Sequence, residues 1–381
     1  MDVSVRAAEL AKEFVILDGH VDVPYRLVEG MEDISQSTKT GDFDYPRAIE
    51  GGLDVPFMSI YIPASFQESG GAKDKADELI DMVAGFEEQW PEKFKVITSP
   101  SEVSALHGTG VIALPMGMEN GAGIEDDLAN LEHFHDRGIR YITLTHSENN
   151  LICDSSYAEE RTWNGLSDFG REVVGEMNRL GIMIDVSHIS DDTFYQVMEL
   201  SQAPVIASHS SARAFTPDWE RNMDDDMIRL LGEKGGVIQI NFGSSFLLES
   251  AKVQGSEYWD ALQVEAESLG VGPNSPALEE FNKTYWMDRE KIFADLSDVV
   301  AHIDHVVEIA GIDHVGLGSD FDGVGDSLPT GLKDVSYYPN LIRALLEAGY
   351  TEEDIQKICS GNVMRVWEEV EDVADSMSTE M

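Results

Sequence analysis

A chain of 381 residues is long enough for two domains or for one large α/β barrel, and 42% hydrophobic with 26% charged residues is a globular composition. Its 72 acidic against 26 basic residues leave a formal charge of −46, which repels phosphate backbones and anionic lipid surfaces and argues against a nucleic-acid role. No apolar run approaches the ~18 residues of a membrane span, and the two distant cysteines, Cys153 and Cys359, fit neither a CxxC motif nor a disulfide framework.

The first residues, MDVSVRAAELAKEF, read as an amphipathic helix rather than a basic-then-apolar export signal, so a reducing, cytoplasmic location is expected. Apolar runs rich in Val, Ile and Leu then recur at 16–23, 53–62, 111–119, 139–146, 183–188, 204–210, 236–242 and 314–321. Between them lie helical patterns at 76–90, 127–138, 169–181, 226–235, 295–311 and 338–349, most ending near glycine as a helix C-cap requires. Strands alternating with covering helices predict parallel βα units, and eight of them predict a (β/α)₈ TIM-type barrel. Without repeats or a low-complexity linker, one barrel domain over 1–370 is expected, followed by a frayed acidic tail at 371–381. Residues 243–294 interrupt the regular spacing between strands seven and eight. This long insertion carries Trp259 and Trp286 and is expected over the barrel mouth, as a lid or as a contact between two copies in a homodimer.

A barrel places its chemistry at the C-terminal ends of its strands. Of ten histidines, His20, His146, His188 and His209 fall at the ends of strands one, four, five and six. His107, His133, His135, His302, His305 and His314 fall in helices or ahead of strands, where a solvated or capping role is expected. Strand one also carries Asp22, which shares a face with His20 because side chains two apart on a strand point the same way. By itself that pair reads equally as metal ligands or as a buried hydrogen-bonded pair. Asp18 has the same parity one layer deeper and could hydrogen-bond His20. Strand three ends in Glu119 within GMENG and strand eight in Asp320 within GSDFDG; taken singly, either could be a helix N-cap. Three imidazoles with Asp22 and Glu119 exceed what a single tetrahedral zinc with an open position accepts. Two metals sharing Glu119 fit better, one with His20 and Asp22, the other with His188 and His209.

The HVD at His20–Asp22, GMENG around Glu119, LTH ending at His146 and DVSH ending at His188 are followed by SHSSARA from His209, Arg221-Asn222 and GSDFDG around Asp320. In this order and spacing the chain resembles the membrane dipeptidase (renal dipeptidase) family, peptidase family M19. The resemblance implies a (β/α)₈ barrel with two Zn²⁺ per subunit, hydrolysing free dipeptides with broad side-chain tolerance and accepting a C-terminal D-residue. It also implies metal ligation by His20, Asp22, Glu119, His188 and His209, with Glu119 as the bridge. His146 would stabilise the oxyanion, Arg221 would bind the substrate carboxylate and Asp320 would carry the proton. Two other readings remain at this stage. One is an amidohydrolase acting on N-acyl amino acids or lactams, although such barrels often bridge their metals with a carboxylated lysine and none stands at the end of strand four. The other is a metal-binding barrel without catalysis, which would be free to lose Asp320 and His146.

Overall fold

The computed structural model describes residues 2–272 and 275–380, and a parallel barrel of the eight expected strands stands at its centre. They are β1 (Ile16–Val21), β2 (Leu53–Tyr61), β3 (Met116–Glu119), β4 (Ile139–Thr143), β5 (Met183–Asp185), β6 (Ile206–Ser210), β7 (Val237–Ile240) and β8 (Val315–Leu317), hydrogen-bonded in that order. The ring closes just beyond β8, where Asp22 N donates to Phe321 O at 2.8 Å and Asp320 N to His20 O at 3.1 Å. All six residues of β1 are buried, as a strand enclosed on both faces requires, and this explains why it reads as an apolar run rather than an alternation.

The principal helices are α1 (Val3–Glu13), α2 (Ala72–Gln89), α3 (Ala129–Asp136), α4 (Asp168–Leu180), α5 (Asp191–Leu200), α6 (Asp225–Glu233), α7 (Glu249–Leu269), α8 (Glu279–Met287), α9 (Leu296–Ala310), α10 (Tyr338–Ala348) and α11 (Asn362–Glu380). Their ends follow local chemistry. Ser167 caps α4 through the Gly170 N–H and Gly181 closes it in the left-handed conformation, while Asp295 and Asp298 form a capping box at the start of α9. No described helix is long and apolar enough to cross a membrane.

Three expectations change. The run at 111–119 is two strands, because Pro115 has no N–H to continue a ladder. Ile112–Leu114 pairs with Phe94–Val96 in a separate two-stranded sheet, and only Met116–Glu119 joins the barrel. Residues 371–380 are no frayed tail but the second half of α11. Val363, Val366, Trp367 and Val370 form an apolar stripe at helical spacing that the surrounding acids obscure, and it packs against Leu17, Val55, Phe57 and Tyr141. There the Trp367 and Phe57 rings lie 5.2 Å apart, as do those of Phe57 and Tyr141. His302, expected to be solvated or capping, is fully buried within α9.

The 243–294 insertion leaves the C-terminal end of β7 and returns into α9, the helix that covers the barrel between β7 and β8. Its α7 and the segment around α8 share a small core of Leu262, Ala266 and Leu278. Near its start, Phe246 reaches the barrel mouth through Arg221 and Trp219.

Candidate metal centre

All eight residues singled out from the sequence meet at the C-terminal mouth of the barrel. His20 Nε2 lies 3.4 Å from Asp22 Oδ2 and 3.5 Å from Glu119 Oε2. The other Glu119 oxygen, Oε1, faces His188 Nε2 at 3.1 Å, His209 Nε2 at 3.2 Å and His146 Nε2 at 3.6 Å. One carboxylate therefore divides its two oxygens between separate imidazole groups. Ligand-type atoms of His20, Glu119 and His209, of Glu119, His146 and His188, and of His20, Asp22 and Asp320 lie close enough together to hold a cation. The structure thus adds Asp320 to the Asp22 side and His146 to the opposite side, beyond the five residues expected as ligands.

Local backbone chemistry sets this arrangement. His188 and Asp320 both adopt positive φ, at 70° and 63°, a strained conformation for residues with side chains. Gly323 leaves room for the carboxylates of Asp22 and Asp320: a Cβ there would stand 2.2 Å from Asp22 Oδ2 and 2.4 Å from Asp320 Oδ1. Asp320 receives a hydrogen bond of 2.7 Å from Asn241 Nδ2, just beyond β7.

The electrostatics are those of a cation site. Burial alone would raise Glu119, yet His20, His146 and His188 outweigh it and hold its carboxyl well below the ordinary range. His20 is raised well above the usual imidazole value, since Tyr141, Glu119 and Asp22 overcome the opposing effect of burial. His188 and His209 are pushed well down, first by burial and then by neighbouring positive groups, which keeps them neutral as metal ligands must be. Burial, then the adjacent Asp22, pushes Asp320 up to about 8. Three carboxylates enclosed together call for positive charge. The buried His20 Nε2 and Asp22 Oδ1 have no hydrogen-bond partner among the described residues, so the donor set fits a divalent cation.

Behind the cluster, the expected contact from Asp18 to the His20 ring is absent. Asp18 Oδ1 instead accepts from the His20 backbone N–H at 3.1 Å and from Ser319 N at 2.9 Å, and Asp18 Oδ2 accepts from the Tyr338 hydroxyl. The ring pairs through Nδ1 with the Tyr141 hydroxyl at 2.7 Å, for which Gly117 leaves space. His209 Nδ1 donates to Ser208 Oγ at 2.7 Å, and Ser208 donates to the buried Asp185 at 2.6 Å; Thr143 also donates to this carboxylate.

Arg221 is 2% exposed, with Nη1 donating to Ser210 Oγ at 2.8 Å and Nη2 to His209 O at 2.9 Å. It forms no ion pair with a carboxylate among the described residues, and its Nε–H has no partner. Nη2 also stands 3.0 Å from His188 Nε2, and a buried guanidinium without a carboxylate partner has the charge and the free donor that an anion would complement. Asn222 pins the same loop, accepting from Ser211 N and donating to Phe246 O.

The sequence reading missed Tyr141, Ser208, Asp185 and Asn241. Asn241 could have been found, since it follows an apolar run at the same level as the other mouth residues. The remaining three sit inside strands, where nothing in a single sequence separates them from core.

The family model for membrane dipeptidases, peptidase family M19, matches residues 4–381. Mouse dipeptidase 3 is 33% identical over 384 residues, covering 97% of this chain and 67% of its own length. The solved structure of the probable dipeptidase PvdM from Pseudomonas aeruginosa superposes with a TM-score of 0.83 at 28% identity, over 98% of this chain and 99% of that one. A metallo peptidase from Rhodobacter sphaeroides, solved with a phosphinate mimic of the dipeptide L-Ala-D-Ala, gives 0.77 at 29% identity, over 94% and 99% of the two chains.

Proposed function

Because the chain belongs to the membrane dipeptidase family, peptidase family M19, we propose that it is a two-zinc dipeptidase of broad side-chain tolerance that accepts a C-terminal D-residue. The coarser statement, a metal-dependent hydrolase of dipeptides, follows from the family and its dipeptidase relatives. The observation that carries the two-metal reading is Glu119, with Oε2 toward His20 and Oε1 toward His188 and His209. The imidazole-rich donor set favours zinc. Tolerance of a D-residue draws on the L-Ala-D-Ala mimic bound by the Rhodobacter relative.

In this reading His20, Asp22 and Glu119 hold one metal, and Glu119, His188 and His209 the other. Together the bound cations supply Lewis acidity and a water acidified to near neutral pH. Arg221 fixes the free carboxylate of the substrate, so that the scissile amide reaches the cluster in one register. His146, kept neutral by burial, donates an N–H toward the carbonyl oxygen as negative charge builds there. Asp320 takes the proton released by the attacking water and passes it to the departing amine, while Asn241 holds the carboxyl in place.

The test is hydrolysis of L,L- and L,D-dipeptides, an N-acetyl amino acid and a tripeptide by chelated and then zinc-restored protein. Expected is zinc-dependent cleavage confined to free dipeptides, with two metals per chain. Cleavage of the acylated substrate alone would overturn the substrate, and saturation at one metal would overturn the shared Glu119.

A further inference from the structure

Three aromatic side chains border the place where Arg221 meets the metal-ligand cluster, its Nη2 standing 3.0 Å from His188 Nε2, and the reaction derived above uses none of them. The Tyr157 ring, from the loop after β4, lies 5.9 Å from that of His188 and 6.3 Å from that of Trp219. Trp219 is 5.2 Å from Phe246, whose ring centre lies 5.0 Å from the Arg221 guanidinium carbon. The three rings thus form one continuous wall from a metal-ligating imidazole to the carboxylate receptor.

This wall is built and open. Asp154, fully buried, accepts from the backbone N–H groups of Thr162, Trp163 and Gly165 and so fixes the loop that carries Tyr157. Asn222 secures Phe246 from below through the Phe246 carbonyl. Tyr157 is nonetheless 42% exposed and Trp219 only half-buried, with Phe246 buried behind them, so apolar ring surface is left uncovered beside the site.

A dipeptide with its carboxylate on Arg221 and its scissile carbonyl at Glu119 lays its C-terminal residue over the contact between Arg221 and His188, which the Tyr157 and Phe246 rings border. We propose that Tyr157, Trp219 and Phe246 form the pocket for the C-terminal side chain and favour dipeptides ending in an aromatic or large apolar residue. Flat rings pack on such side chains in offset or edge-on contact, and here they are already ordered against one another. An acidic side chain gains nothing from them and is repelled by Asp22, Glu119 and Asp320. The inference rests on the dipeptidase reading above and describes a gradient within its breadth.

Steady-state kinetics of the zinc-loaded full chain on glycyl-phenylalanine and glycyl-alanine test it, with Trp219→Ala and Tyr157→Ala as independent removals of neighbouring rings and metal content measured in each. Wild type is expected to favour the phenylalanyl substrate by about tenfold in kcat/KM, mainly through KM. Each variant should bring that ratio down several-fold while retaining metal. A wild-type ratio near one, or a ratio that survives both substitutions, overturns the pocket. Failure to cleave either dipeptide overturns the dipeptidase reading itself and the pocket with it, an outcome distinct from cleavage without preference.

Discussion

A histidine that ligates a metal through one nitrogen must keep the other protonated and held, and the imidazoles on either side of Glu119 achieve this by different means. His20 relies on the hydroxyl of Tyr141, and His209 on Ser208 backed by the charge of Asp185. Tyr141→Phe and Ser208→Ala are each expected to weaken metal retention by about 10- to 100-fold, read by competition with a chelator. Retention at the wild-type level would reduce both contacts to packing. Asp320→Asn should lower kcat by about 10²- to 10⁴-fold with the metal content intact; metal analysis showing one ion lost per chain would make Asp320 a ligand rather than a proton carrier. Arg221→Ala should penalise free dipeptides more than their C-terminal amides, and an equal loss on both would end its role as carboxylate receptor. The residues legible in sequence at this scale were polar groups that ended apolar runs, as Glu119 and His188 do. Tyr141 was not legible, because a tyrosine inside a strand reads as core until the ring it touches is known.

Among the elements, α9 does more than cover the barrel. His302 reaches from it to accept from Ala212 N at 3.1 Å, beyond β6, and to donate to Leu247 O at 3.1 Å, at the start of the insertion. The two segments so joined flank the loop that carries Arg221. Burial, with a smaller effect from His305, pushes His302 down to about 4. An imidazole held neutral in the fold but titrating near 6.5 when unfolded stabilises fully above that value and loses its contribution as pH falls toward 4. The amount is about 3 kcal/mol. Urea denaturation between pH 7 and pH 4 should therefore show a shallower decline for His302→Gln than for wild type, and parallel declines would place the titration elsewhere. Periodicity located the covering helices, because their apolar faces repeat over many residues. It failed at 111–119, where one proline divides an unbroken apolar run, and at α11, where acids crowd an apolar stripe of four residues.

For the molecule as a whole, a charge of −46 opposes compaction in every part of the surface at once. Stability should rise with sodium chloride from about 0.1 M to about 1 M, as the screening length falls from about 10 Å to about 3 Å. Thermal denaturation across that range checks it, and a flat midpoint would mean that local ion pairs such as Arg6 with Glu13 and Glu352 already absorb the repulsion. The barrel itself was readable from the count and order of its strands, since eight parallel units leave few other ways to bury their faces. The insertion was readable only as an interruption.

The position of α11 bears on how the protein is made. Trp367 touches Phe57, Phe57 touches Tyr141, and Tyr141 holds the His20 ring, so the floor of the metal centre rests on residues translated after all eight strands. By the time residues His20 to His209 have all left the ribosome, the helix that braces them is still within it or unmade. The finished geometry of the centre therefore waits on the translation of residue 367 and is not available when His20 emerges.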